Sequence, residues 1–146
     1  MAENGFGDML KWEARFNTEV HRIDFEHKIF LMLINSFKRA LDENHSRDQL
    51  IRILNEIEKY AGFHFISEEN LMLAIDYPDY REHRNQHFDL LEQFNLAKHE
   101  KSGLASFYIF IKEWFINHTV LEDIKIKEFI VEKNLNVEKL YYDIGL

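Results

Sequence analysis

His64 and Glu68 stand four residues apart, so on a helix they lie one turn apart on a single face. Apolar residues mark that face in a heptad rhythm: Leu50, Leu54, Ile57 and Ala61 before the pair, Leu71 and Ile75 after it. An ionised carboxylate on a core-facing seam is destabilising unless something pairs with it. Taken alone, the pair reads best as a buried Glu held by an imidazolium or a guanidinium. The rest of the chain reverses that balance. His83 and His87 repeat the four-residue spacing, His27 and His118 occupy core-facing positions of their own, and Asp123 follows His118 by five residues.

One buried histidine is ordinarily a satisfied core residue. Five at one level with a carboxylate are a different matter, because each unpaired polar group costs roughly 1–3 kcal/mol. A domain stable by about 5–15 kcal/mol cannot carry them all unpaired. Metal coordination satisfies the whole set, and four-residue spacings put two donors on one helical face. Five imidazoles and one or two carboxylates are too many for one ion. Two octahedral ions bridged by both carboxylates and one solvent oxygen would leave a single open position. One vacancy on a redox pair in an apolar pocket suits a small diatomic molecule. Imidazole and carboxylate donors fit iron, and by ligand type also manganese or zinc. The remaining histidines read differently: His21 as solvated or second in line behind a ligand, His45 in a turn, and His99 off its seam.

Four helices have to position these residues. The first runs from an N-cap at Asp24 to about Asn44, with a seam of Ile23, His27, Phe30, Ile34, Phe37 and Leu41. Ser46-Arg-Asp-Gln49 resembles a capping box and opens the second, which ends near Ile75. Gly62 inside it costs about 1 kcal/mol against Ala; close approach of a neighbouring helix would account for it. Asp76-Tyr-Pro-Asp79 breaks the chain, with Pro78 suited to the first turn of a third helix that runs to about His99. Its seam is Tyr80, His83, His87, Leu90, Phe94 and Ala97. After the turn Lys101-Ser-Gly103, the fourth helix carries Leu104, Phe107, Ile111, Trp114, His118 and Leu121. The rhythm then fails, which predicts a distortion or a change of packing partner just after His118. The expected fold is all-α, an up-down-up-down four-helix bundle. An N-terminal arm over residues 1–22, anchored by Trp12 and Phe16, precedes the bundle over about residues 23–133. A short terminal helix over residues 136–146 follows, the whole forming one domain. In that topology the histidines converge on one end.

Composition narrows the function. The 146 residues are 46% hydrophobic and 14% aromatic, which suits a single well-filled core. The formal charge of −8 without a basic run speaks against nucleic acid and anionic lipid as partners. The absence of cysteine removes disulfides, thiolate metal sites and a Cys nucleophile, and suits a reducing cytoplasm. No signal peptide and no apolar run of membrane-spanning length is visible. The expected localisation is cytoplasmic, without membrane insertion, as a monomer or weak oligomer.

Four stretches carry a resemblance to the hemerythrin family, specifically its bacterial single-domain form. They are Ile-Asp-Phe-Glu-His27, His64-Phe-Ile-Ser-Glu68-Glu-Asn-Leu-Met72, Tyr-Pro-Asp-Tyr-Arg-Glu-His83-Arg-Asn-Gln-His87-Phe, and Trp-Phe-Ile-Asn-His118-Thr-Val-Leu-Glu-Asp123. The match runs from Trp12 to about Phe129. It implies reversible O₂ binding at a non-haem centre of two iron ions (Fe²⁺/Fe³⁺) with a bridging oxo or hydroxo group. Carried over by position, His83, His87 and His118 would hold one iron and His27 and His64 the other, which keeps the open site. Glu68 and Asp123 would bridge the two. Two departures stand out: Glu26, where many bacterial members have Gln, and Thr119, where an apolar residue is common. A pocket-facing Thr119 hydroxyl would speed loss of bound oxygen as peroxide. Glu69 is the rival to Glu68, but on a helix it lies about 140° from His64 against about 40° for Glu68.

The first functional reading is an O₂ carrier, store or scavenger, an oxygen-binding protein with at most residual oxidase or peroxidase activity. The second is an enzyme acting on O₂, peroxide or nitric oxide. Di-iron carboxylate enzymes use about four acidic ligands, whereas five histidines and two carboxylates favour reversible binding. A third reading is an O₂ or redox sensor acting through a separate partner. A metal-free structural bundle fails on the desolvation cost. Phe30, Leu31, Phe63, Phe88 and Trp114 are candidate apolar walls of the pocket.

Overall fold

A computed structural model describes residues 9–100 and 103–142, the side chain of Tyr142 excepted. Helices α1 (His21–Asp42), α2 (Arg47–Ala74), α3 (Tyr80–His99) and α4 (Leu104–Asn117) run alternately up and down. The chain continues from α4 through a π-helical turn (His118–Asp123) into α5 (Ile124–Glu132), and α6 (Val137–Tyr142) follows. No strand occurs among the described residues. α1 packs on α2 and α4, and α3 closes the ring against α2 and α4.

The predicted seams are largely the buried faces. Ile23, His27, Phe30, Ile34 and Phe37 are buried on α1, while Leu41 is half-buried. The whole predicted α2 seam is buried, as are the α3 seam positions from His83 to Ala97. α2 opens on the expected capping box: Ser46 Oγ accepts from the Gln49 backbone N–H and the Gln49 side chain accepts from the Ser46 N–H. Gly103, at φ 107°, takes the left-handed turn into α4. The rest of that turn, residues 101–102, lies outside the described residues. So do residues 1–8 of the predicted arm and 143–146 of the predicted terminal segment.

Three expectations need correction. α1 starts at His21, not at Asp24. Asp24 instead points back at the arm, where its carboxylate accepts from the Thr18 backbone N–H and hydroxyl and from the Glu19 N–H. Pro78 precedes α3 in the connecting turn and does not enter its first turn. Gly62 has no heavy atom within 4 Å of the place its Cβ would take, so no described helix of this chain requires it.

The core is divided. One apolar cluster gathers Phe16, Phe30, Ile34, Phe37, Leu54, Ile57, Leu90, Phe94, Tyr108, Ile111 and Phe115. A smaller one gathers Val20, Ile23, Leu71, Met72, Ile75, Tyr77, Ile126 and Val137. The candidate ligands of α1, α2 and the π-helical turn fall between the two. His27 lies between Ile23 and Phe30, His64 and Glu68 lie between Ala61 and Leu71, and His118 and Asp123 lie between Phe115 and Ile126. A polar layer therefore crosses the bundle near one end. The arm is pinned above it by Phe16, whose ring meets Trp12 at 5.4 Å and Phe115 at 5.9 Å between centroids.

Candidate metal centre

Each of the seven predicted side chains reaches the polar layer, and none is more than 6% exposed. Helical spacing delivers His64 with Glu68 and His83 with His87. His118 and Asp123 need more, because residues five apart on an α-helix diverge by about 140°. The π-helical turn that starts at His118 replaces i→i+4 with i→i+5 closure, so both side chains face inward. The extra residue is absorbed outside: Leu121, expected on the seam, is exposed.

The donor atoms fall into two groups of four, Glu68 with His83, His87 and His118, and Glu68 again with His27, His64 and Asp123. Within each group the atoms lie within 4.8 Å of one another. Glu68 is shared. Its Oε1 lies against His83 Nε2 and 3.2 Å from His87 Nε2, while its Oε2 is 3.4 Å from His64 Nε2 and 3.6 Å from His27 Nε2. Asp123 divides in the same sense. Its Oδ1 is 3.0 Å from His83 Nε2 and 3.2 Å from His118 Nε2, and its Oδ2 is 3.0 Å from His27 Nε2. Each carboxylate thus turns one oxygen toward each set of imidazoles.

These close approaches are mostly not hydrogen bonds. His27 Nε2, His87 Nε2, Glu68 Oε2 and both oxygens of Asp123 are buried without a hydrogen-bond partner. His118 Nε2 and His83 Nε2, two nitrogens of like kind, stand 3.2 Å apart. Donor atoms crowded within 4.8 Å of one another in each group, several of them buried and unpartnered, suit a set shaped for cations. Nitrogen and oxygen donors without sulfur fit a divalent transition metal.

Without cations, the layer is held by charge. Burial opposes protonation of His27, but the Asp123 and Glu68 carboxylates outweigh it and push its pKa up to about 10. His83 is raised to about 10 by the same opposition. Burial likewise works against His87, which Glu68 and Glu69 raise. His118 goes the other way, lowered by burial despite Asp123 beside it. Burial alone would raise Glu68; the surrounding imidazoles hold it well below the carboxylate range. Asp123 is likewise lowered, with burial and Glu68 overcome by His118 and His27.

Two further carboxylates orient two of the candidate ligands, His64 and His87, from behind. His64 Nδ1–H donates to Glu26 Oε1 at 2.7 Å, and His87 Nδ1–H donates to Glu69 Oε2 at 2.8 Å. In each case the proton on Nδ1 leaves the Nε2 lone pair free to face the layer. Glu26 is fixed in turn by Ser67 Oγ at 2.9 Å and Arg22 Nε at 3.0 Å, and its backbone carbonyl accepts from Tyr60 at 2.7 Å. Helical phase separates Glu69 from Glu68, yet that same phase carries it to His87 on the neighbouring helix. Both Glu26 and Glu69 are conspicuous in the sequence, but only cross-helix register shows which imidazole each one serves.

Aromatic rings wall the layer. Phe65 stacks on His87 with centroids 4.0 Å apart, and Trp114 stacks on His118 at 4.3 Å. Phe30 meets His64 edge-on at 6.2 Å and Phe115 meets His27 at 6.0 Å. Phe65 and Phe115, not singled out from the sequence, replace Phe63 and Phe88, which are exposed. Phe63 stands about 200° from Phe65 around α2, on its outer side, and Phe88 falls on the outer side of α3. Leu31 and Thr119 are buried. His21 stands apart at the surface, 3.6 Å from Glu138. His99 Nδ1–H donates to the Asn95 carbonyl at 2.7 Å, and His45 pairs with Glu43 at 3.3 Å.

Residues 18–130 match the model of the hemerythrin HHE cation binding domain. Hemerythrin subunit alpha of Lingula anatina is 34% identical over 117 residues, 80% of this chain and 91% of that protein. A bacteriohemerythrin of Clostridium acetobutylicum is 25% identical over 124 residues, covering 79% of this chain and 96% of that protein. A crystal structure of wild-type hemerythrin superposes with a TM-score of 0.69 at 24% identity, covering 83% of this chain and 97% of that one.

Proposed function

Because the chain belongs to the hemerythrin family, we propose that it binds dioxygen reversibly at two iron ions joined by an oxo or hydroxo bridge. His83, His87 and His118 are assigned to one ion and His27 and His64 to the other, with Glu68 and Asp123 shared. The observation that carries this reading is the pair of divided carboxylates, each turning one oxygen toward each set of imidazoles. When bound, the iron pair supplies two reducing equivalents to dioxygen and recovers them on release.

The chain's own residues do the rest. With both carboxylates shared, the three-histidine set would offer five protein donors and the two-histidine set four. On that assignment, which follows the family resemblance, an open position would lie beside His27 and His64. Phe30 and Phe115 pack edge-on against those two rings and would keep water from that side. Glu26 and Glu69 hold one imidazole in each set in the tautomer that presents Nε2. Phe30 and Phe115 pack as apolar neighbours on His64 and His27, which suits binding and release of a small apolar molecule. No described helix is long and apolar enough to cross a membrane, and a cysteine-free chain suits the cytoplasm.

Metal analysis paired with visible spectra tests the reading. We expect two irons per chain and a visible charge-transfer band that appears in air and vanishes when oxygen is removed. One iron or none, or a band that oxygen removal leaves in place, overturns it.

A further inference from the structure

The outer face of α1 and α2 carries several large apolar side chains in water, among polar ones. Phe25 is 67% exposed, Ile29 45%, Phe63 54%, Ile66 60% and Leu73 55%. Phe25, Ile29 and Phe63 line one cleft of about 460 Å³, with Tyr60 and Tyr141 as its other aromatic walls. At about 150–250 Å² for a large side chain, those exposures leave about 500 Å² of apolar surface in water. A standard interface covers about 800 Å² per partner, of which roughly 60% is apolar, again about 500 Å².

A second observation lies at the edge of this face, beside Ile66. Gly62 weakens the middle of a 28-residue helix, and nothing within the described chain approaches it. A helix from outside that packs close to the α2 backbone gives the missing side chain a purpose.

The third is periodicity. Glu56, Lys59, Phe63, Ile66, Asn70 and Leu73 are all exposed on α2 and follow one another at steps of three, four, three, four and three. That is the rhythm of a helix–helix seam, repeated on the side of α2 that faces away from the bundle. Phe63 and Ile66 stand at its centre, with Lys59 and Asn70 placed symmetrically about the midpoint between them. Two copies of α2 packed antiparallel across that midpoint set Phe63 of each against Ile66 of the other. The same operation sets Lys59 of each against Asn70 of the other, an ammonium donor facing an amide oxygen, and places Glu56 of each at the rim beside Leu73 of the other. Such self-complementarity is what a two-fold interface demands.

We propose that this face is the dimer interface, occupied by a second copy of the chain with α2 antiparallel to α2 and Phe25 and Ile29 flanking the contact. The cleft over Glu26 closes in the dimer. Sedimentation equilibrium of the metal-loaded protein tests it. The wild type should pass from monomer to dimer between micromolar and millimolar concentration. Ile66→Glu should remain monomeric. Asn70→Glu, which sets a carboxylate against Lys59, should tighten the dimer several-fold, and Asn70→Lys, which sets like charges together, should weaken it several-fold. Gly62→Ala should raise the thermal midpoint of the dilute monomer while weakening the dimer. A wild type that stays monomeric throughout overturns the proposal. So does a dimer indifferent to Ile66→Glu, or one that Asn70→Glu tightens no more than Asn70→Lys does.

Discussion

Glu26 and Glu69 are single side chains whose work is to aim others. Each accepts the Nδ1 proton of one imidazole, and loss of such a partner characteristically costs about 10–100-fold in metal affinity. Glu26→Ala should therefore weaken metal binding by about 10–100-fold, read by competition with a chelator of known affinity. Glu26→Gln keeps an acceptor for the same proton and should lose far less. The charges inside the layer make a second claim. His27 and His83, both raised to about 10, are protonated at neutral pH in the metal-free chain. A cation needs their lone pairs, so loading must expel those protons. Calorimetry at about pH 7 in buffers of different ionisation enthalpy should show net proton release, and a heat independent of buffer would refute it.

Among the elements, the π-helical turn is the least regular and the most telling. The failure of rhythm after His118 was legible in the sequence, but its form was not. An α-helical count keeps Leu121 inside and turns Asp123 away; the i→i+5 turn exchanges them. The burial of the other candidate ligands was legible because each sits on a seam of regular period, where type and phase agree. Asp24 shows the limit of cap rules. Its chemistry suits an N-cap, yet it caps the arm, because the Thr18 and Glu19 N–H groups lie within reach. Ser46 obeys the rule. Ser46→Ala removes one half of the capping box and should cost about 1 kcal/mol, seen as a lower thermal midpoint with metal content unchanged.

For the molecule as a whole, the buried charges set how stability follows pH. In the metal-free chain His27 and His83 have folded pKa values raised above the ordinary 6.5. Their contribution is complete below pH 6.5 and is lost as pH climbs through about 10. Glu68 and Asp123 are depressed from 4.5 and 3.8, so theirs is present above those values and lost as pH falls. Denaturant midpoints of the stripped chain should thus peak on the mildly acid side of neutrality and decline toward about pH 10. The loaded protein, its imidazoles already neutral, should lack that alkaline decline.

The stratified interior has a mechanical consequence. Two oily compartments of unequal size are separated by a slab of donor side chains that bound ions would make rigid. Strip the ions and the smaller compartment, built from Val20, Ile23, Leu71, Met72 and Ile126, has little left to moor it. Amide exchange should then show that end of the molecule fraying well ahead of the larger one, as two separately melting blocks. With the ions restored, both ends should melt together as one.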